Sequence, residues 1–186
     1  MPSKSRIHSG YVSDKVHDQG PNGTCYAYAI ASAIRRAQSL KKEKLTSHRK
    51  IRNRLIRKYG RDGAHVCQVL EEQSRKYNIT FKKTSSREKA EEALRRKQGL
   101  IIRCSLTEKQ WHTFEKFFKA NPRETLHKSD LGASNPGKST SGHAMIVYGQ
   151  TKDCWIVKNS WGKGFANHGL FTIRKNAMKF RFVCVK

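Results

Sequence analysis

Gln19 and Cys25 stand six residues apart in Gln19-Gly20-Pro21-Asn22-Gly23-Thr24-Cys25-Tyr26, and together they could supply half of an active site. A breaker-rich loop here empties into an apolar run, Ala27 to Ala37, which places the cysteine at a helix N-terminus. Unpaired backbone N–H groups and the positive end of the helix dipole favour thiolate over thiol there. Far downstream lie Gly142-His143-Ala144 and Lys158-Asn159-Ser160-Trp161-Gly162. Histidine can take and return a proton near neutrality, and a carboxamide can hold an imidazole in one orientation. A nucleophile, a base and a base-orienting amide, in that order, point to attack on an acyl carbon by a cysteine hydrolase.

These groups need elements to carry them. The 186 residues suffice for one domain, or for two small halves sharing a cleft, with a real core. The apolar run becomes a buried helix from Cys25 to about Gln38, with Thr24 as its N-cap. Ile51, Leu55 and Tyr59 recur every four residues, which predicts a second, amphipathic helix. Val66, Val69, Leu70 and Tyr77 predict a third. The pattern then changes. Ile79 and Phe81 alternate as in a strand, 87–97 reads as a charged helix with Ala90, Ala93 and Leu94 inward, and 100–106 reads as a strand. Thr107 and Gln110 form a capping box that opens a helix through Trp111, Phe114, Phe117 and Phe118, stopped before Pro122. The spacing of that aromatic cluster reads as core. A loop over 121–142 and strands at 143–149, 154–158, 169–174 and 180–185 follow, and 1–18 reads as an extended arm. Helices first and strands later imply an α+β fold, with the cysteine and histidine meeting between the two parts.

Composition excludes several classes. No uncharged apolar stretch is long enough to cross a membrane as a helix. Cys25, Cys67, Cys104, Cys154 and Cys184 are odd in number and scattered without a C-x-x-C pair, so neither a disulfide framework nor a structural zinc site is expected. The four other than Cys25 read as small buried apolar groups. No cofactor or metal is expected. The basic start Met1 to Arg6 lacks the apolar core of a signal peptide, which predicts an intracellular protein, in cytoplasm or nucleus, if that start is native. A lysosomal or secreted location is expected if the chain is a mature fragment. The net charge is +25, and residues 35–61 hold twelve Lys/Arg against the single acid Glu43. Such a face attracts polyanions or acidic proteins without identifying which.

Gly23, Cys25 and Tyr26, the sixteen-residue interval from His143 to Asn159, and Lys158-Asn159-Ser160-Trp161-Gly162 resemble the papain-like cysteine peptidases. Gly169 to Ile173 looks like the strand after the Asn motif, and Gly63-Ala64 like a variant of the glycine pair lining the family's substrate cleft. Asn22 replaces the cysteine that usually forms a disulfide beside the nucleophile, Arg61 stands where its partner would fall, Phe165 replaces a common second tryptophan, and Gly142 replaces an acidic or amide residue. The resemblance implies one compact papain-like unit over 1–186, with a helical lobe over about 12–77 and a β-rich lobe of antiparallel sheet or barrel over about 78–186.

The resemblance also implies roles. Cys25 would be a thiolate paired with a His143 imidazolium, Asn159 would hold the imidazole, Trp161 would shield that bond, and Gln19 would donate to the oxyanion. Gly23, Gly63, Ala64, Gly142 and Trp161 would line the substrate site. The expected activity is peptide-bond hydrolysis. The loop 121–142 lacks paired histidines suited to blocking one end of a cleft, so endo action is expected. An isopeptidase, deamidase or transferase acting on a protein partner is the alternative, followed by a non-catalytic polyanion-binding protein.

Overall fold

The computed structural model describes residues 6–7, 15–133 and 138–186. Its first three helices are α1 (Cys25–Leu40), α2 (His48–Tyr59) and α3 (Val66–Tyr77). The α1 run is buried on nearly all sides: Ala27, Ile30, Ala31, Ala33, Ile34 and Ala37 are fully buried. Sinking a side chain such as Ile30 or Ile34 contributes about 1.5–3 kcal/mol, so the helix that begins at Cys25 is fixed in place. Ser47 caps α2 by accepting from Lys50 N, and Asn78 closes α3 in the left-handed region. Thr24 precedes α1 as expected, but its φ of −93° and ψ of 8° keep the hydroxyl from capping. Its carbonyl accepts from Ala27 and Tyr28 instead.

Among the described residues, eight strands form one sheet. They are β1 (Arg6–Ile7), β2 (Phe81–Thr84), β3 (Gly99–Thr107), β4 (Thr125–Leu126), β5 (Thr140–Gln150), β6 (Cys154–Lys158), β7 (Leu170–Arg174) and β8 (Arg181–Val185). The order is β2-β8-β3-β5-β6-β7-β4, with β1 against β5. Two further helices, α4 (Arg87–Arg95) and α5 (Glu108–Ala120), intervene in sequence, and the Thr107–Gln110 capping box opens α5. One apolar cluster joins α1–α3 to Ile101, Ala144, Ile146, Val183 and Val185. A second joins α4 and α5 to Ile102, Met145, Val147, Trp155 and Phe171. The period-2 alternation of β3 and β5 therefore feeds two cores from two faces of one sheet. This is an α+β fold.

At Gly99 the sheet meets α1 without a spacer. A β-carbon there would lie 2.8 Å from the Ala33 carbonyl oxygen and 2.9 Å from its Cα. Only glycine lets backbone approach backbone so closely.

Two expectations need correction, for the 121–142 stretch and for Cys67. The stretch 121–142 is not all loop: β4, a 3-10 turn at Lys128–Leu131 and the start of β5 lie within it, and 134–137 fall outside the described residues. Two-residue strands show no period, and polar Thr140-Ser141-Gly142 become strand by pairing with Thr107, Leu106 and Ser105 of β3. As expected the sheet is antiparallel in its main ladders, and the short β4 alone among the described strands runs parallel to its neighbour, β7. Cys67 is half-buried at the first turn of α3, unlike buried Cys104, Cys154 and Cys184. Of the arm over 1–18, β1 and residues 15–18 are described and the rest lies outside the described residues.

Candidate active site

Cys25 is the first residue of α1. The backbone N–H groups of Ala144, Tyr26 and Cys25 itself face its sulfur, so the thiol lies against the residue that follows His143 on β5. The loop before it is held by close backbone contact. A β-carbon on Gly23 would come within 2.9 Å of Gly63 N and 3.0 Å of the Asp62 carbonyl carbon, and Gly63 adopts φ +102°. The two glycines thereby press the Cys25 loop against the Gly63-Ala64 turn. Tyr26, fully buried, donates its hydroxyl to the Gly60 carbonyl at 2.7 Å and ties the same two segments together.

His143 sits opposite Cys104 on β3, with its ring buried. Its Nε2 lies 2.7 Å from Asn159 Oδ1, and that oxygen also accepts from Ser160 N at 2.9 Å. Two donors on one oxygen fix which way the amide points, so Nε2 carries the proton and Nδ1 is left as the basic nitrogen. The Trp161 ring covers the imidazole at 5.0 Å and 30°. Water is thereby kept from the His143–Asn159 bond.

Gln19 comes from the arm preceding α1. Its backbone N–H donates to the Ser160 carbonyl at 2.8 Å, the Ser160 hydroxyl donates to Oε1 at 2.5 Å, and Nε2 donates to the Asn22 carbonyl at 2.7 Å. One N–H of the amide is thus spent on the loop, and the other remains for a ligand. Gly142 is exposed on β5, with Ser105 beside it.

Two contributors escaped the sequence reading. Ser160 orients Gln19, a role that its place beside Asn159 could have suggested. Trp111, read as core, is half-exposed and stands edge-on to His143 at 5.6 Å and to Trp161 at 6.0 Å. Its Nε1 donates to the Ser141 carbonyl at 3.1 Å. Its helical spacing to Phe114 was the only signal, and that signal fits core equally well.

Burial pushes the Cys25 thiol up, against the pull of the surrounding N–H groups. Burial holds His143 down at about 4, despite its bond to Asn159. Both effects weigh towards thiol and neutral imidazole at rest.

Two more histidines titrate low. His17 is held at about 4 by burial and by Lys158, Arg52, Arg35 and Lys15. His48 is held at about 3 by burial, by His17 and by Lys158 and Arg52, with the Tyr28 carbonyl opposing. In an unfolded chain an imidazole titrates near 6.5, so below about 6.5 the unfolded chain binds more protons than the folded one. Folding stability is therefore full above that pH and falls as pH drops towards 4 and then 3. Thermal melts should show a midpoint declining from pH 6.5 downward. His48→Gln should flatten the decline above pH 4.5, where Glu72, Glu88 and Glu92 (each held below that value by hydrogen bonds) stay ionised.

The family model described as papain family cysteine protease matches residues 46–183. That span holds His143 and Asn159 and begins after Gln19 and Cys25. Comparison with curated protein sequences gives no significant match. Among solved structures, the Carica candamarcensis cysteine protease CMS1MS2 in complex with E-64 superposes with a TM-score of 0.64 at 16% identity, covering 97% of this chain and 96% of that one. Xylellain, a cysteine protease from Xylella fastidiosa, gives 0.67 at 15% identity over 100% and 86%. The bromelain protease of Ananas comosus gives 0.60 at 16% identity over 91% and 92%. At such identities the likeness is one of fold.

Proposed function

Because the chain belongs to the papain family of cysteine proteases, we propose that it hydrolyses peptide bonds through Cys25, His143, Asn159 and Gln19, as an endo-acting enzyme. The observation that carries this reading is the linked set around Ser160. Asn159 holds the His143 imidazole, and Ser160 and its backbone hold Gln19, so base and oxyanion donor share one anchor. In the proposed cycle Cys25 sulfur adds to the substrate carbonyl while its proton moves to His143 Nδ1. The oxyanion accepts from the Cys25 N–H and from Gln19 Nε2. His143 returns the proton to the departing amine as the C–N bond breaks, leaving a thioester. Water, deprotonated by His143, then releases the acid and the thiol.

Substrate would run past Gly23, Gly63 and Ala64 on one side and Gly142 and Trp161 on the other, within one catalytic unit made of a helical part over about 12–77 and a β-rich part over about 78–186. A net charge of +25 and the exposed Arg49, Lys50, Arg54, Arg57 and Lys58 of α2 favour encounter with acidic proteins or other polyanions. Among the described residues no helix is long and apolar enough to cross a membrane. The test is incubation with a peptide library and mass-spectrometric reading of the products. Internal cleavage is expected, whereas removal of terminal residues alone would refute endo action and intact peptides would refute the peptidase reading.

A further inference from the structure

The outward face of α2 is built almost wholly of cations. His48, Ile51 and Leu55 turn inward and are buried, whereas the exposed residues of the helix are Arg49, Lys50, Asn53, Arg54, Arg57 and Lys58. At about 100° per residue, Arg49 falls on one flank of the exposed arc, Arg54 and Lys58 on the other, and Lys50 and Arg57 along the middle. The helix contains no acid, and the oxygen of its one amide is engaged: Asn53 Oδ1 accepts from Arg52 Nε at 3.0 Å and from Arg52 Nη2 at 2.9 Å. The basic surface continues beyond α2. The Arg54 guanidinium bears on the Tyr77 hydroxyl at the end of α3, next to the exposed Arg75 and Lys76 of its last turn.

The chemistry of this face selects among polyanions. It carries no apolar anchor: among the described residues the exposed large hydrophobics are Leu40 and Leu45, both ahead of α2. A protein partner or a lipid surface is gripped through such anchors. The exposed side chains of α2 include no aromatic ring, the platform on which bases of a single strand stack. What α2 offers is a rod about 18 Å long and about 10–12 Å across with positive charge on both flanks. The major groove of a DNA duplex is about 12 Å wide between two walls of phosphate, and about ten backbone charges pass in that length. Arg49, Arg54 and Arg57 can each meet a phosphate with two parallel N–H groups.

We propose that α2 is a docking surface for double-stranded DNA, held through its phosphates without reading of sequence, the helix lying along the major groove. This narrows the polyanion encounter stated above to one partner and asks nothing of Cys25.

The test is binding of the intact chain to a labelled duplex of about thirty base pairs, followed by fluorescence anisotropy between about 50 and 200 mM NaCl. The logarithm of the association constant should fall with the logarithm of salt at a slope of about −4 or steeper, near −0.9 for each phosphate that the five α2 cations neutralise. Lys50→Gln/Arg54→Gln/Arg57→Gln should bind about tenfold or more weakly, with a slope shallower by about two to three units. Lys109→Gln/Lys116→Gln/Lys119→Gln removes the same charge from α5, which packs on the other face of the sheet, and should change the slope by less than about half a unit. Equal losses in the two triple variants would overturn the proposal. So would displacement of the duplex by poly-L-glutamate of equal charge, or by phosphatidylserine vesicles, as readily as by unlabelled duplex. Should the α2 triple variant fail to fold, its three single substitutions, each expected to lower the slope by about one, decide. Every readout is of binding alone, so the peptidase reading stands or falls separately.

Discussion

Cys25→Ala is expected to lower peptide turnover by roughly four or more orders of magnitude, and to abolish labelling by a thiol-directed epoxide, while the thermal midpoint stays close to that of the parent. Removing the nucleophile of a hydrolytic triad costs on that order, because only transition-state binding remains. Cys25 is partly exposed and packs at the edge of the apolar cluster under α1, so its truncation leaves no large cavity. His143→Ala should cost nearly as much, and the double variant little more than either alone, since the two act as one unit. Steady-state hydrolysis of a peptide identified from the library provides the measurement. Turnover by Cys25→Ala within tenfold of the parent would contradict the assignment.

Gln19→Ala is expected to reduce kcat by about 10²–10³ with little change in KM, as the loss of one oxyanion donor does elsewhere. The carboxamide interacts more strongly with the developing oxyanion than with the ground-state carbonyl, so the effect belongs to the transition state. Ser160→Ala should act in the same direction more weakly. It leaves the Gln19 amide in place and removes only the hydroxyl that holds Oε1. A Gln19→Ala variant that changes KM alone would assign the side chain to substrate binding.

Much of the fold was legible because its helices bury stripes of regular period. Ile51, Leu55 and Tyr59 foretold α2, and the Thr107–Gln110 box marked the start of α5 to the residue. The strands were placed less well wherever pairing partners, and not side-chain pattern, decide the structure. Thr140-Ser141-Gly142 are polar, exposed and strand only because β3 lies beside them. Segregation into helices and strands by chain order also concealed that α4 and α5 pack on the sheet face opposite α1–α3.

In the candidate site, the groups proposed to react were readable from the sequence, and the residues that support them were not. Gln19, Cys25, His143 and Asn159 advertise themselves by type and order. Ser160 and Trp111 do not, because a serine and a helical tryptophan occur in any soluble protein. The balance of protonation at the site was hidden for a related reason. A helix N-terminus suggests a thiolate, but only three-dimensional burial shows how strongly desolvation opposes it. The His17–His48 stack was invisible too, since the two residues lie on separate segments that meet across α1.

The pairing of Cys25 with His143 is tested most directly by the rate of Cys25 alkylation as a function of pH, in the parent and in His143→Ala. With His143 as acceptor for the thiol proton, the parent should react at a steady rate from the alkaline range down to the imidazole's own titration at about 4. His143→Ala should instead follow thiolate alone, losing about tenfold in rate per pH unit below the raised thiol pKa. Superimposable profiles for the two proteins would mean that the sulfur and the imidazole do not act together.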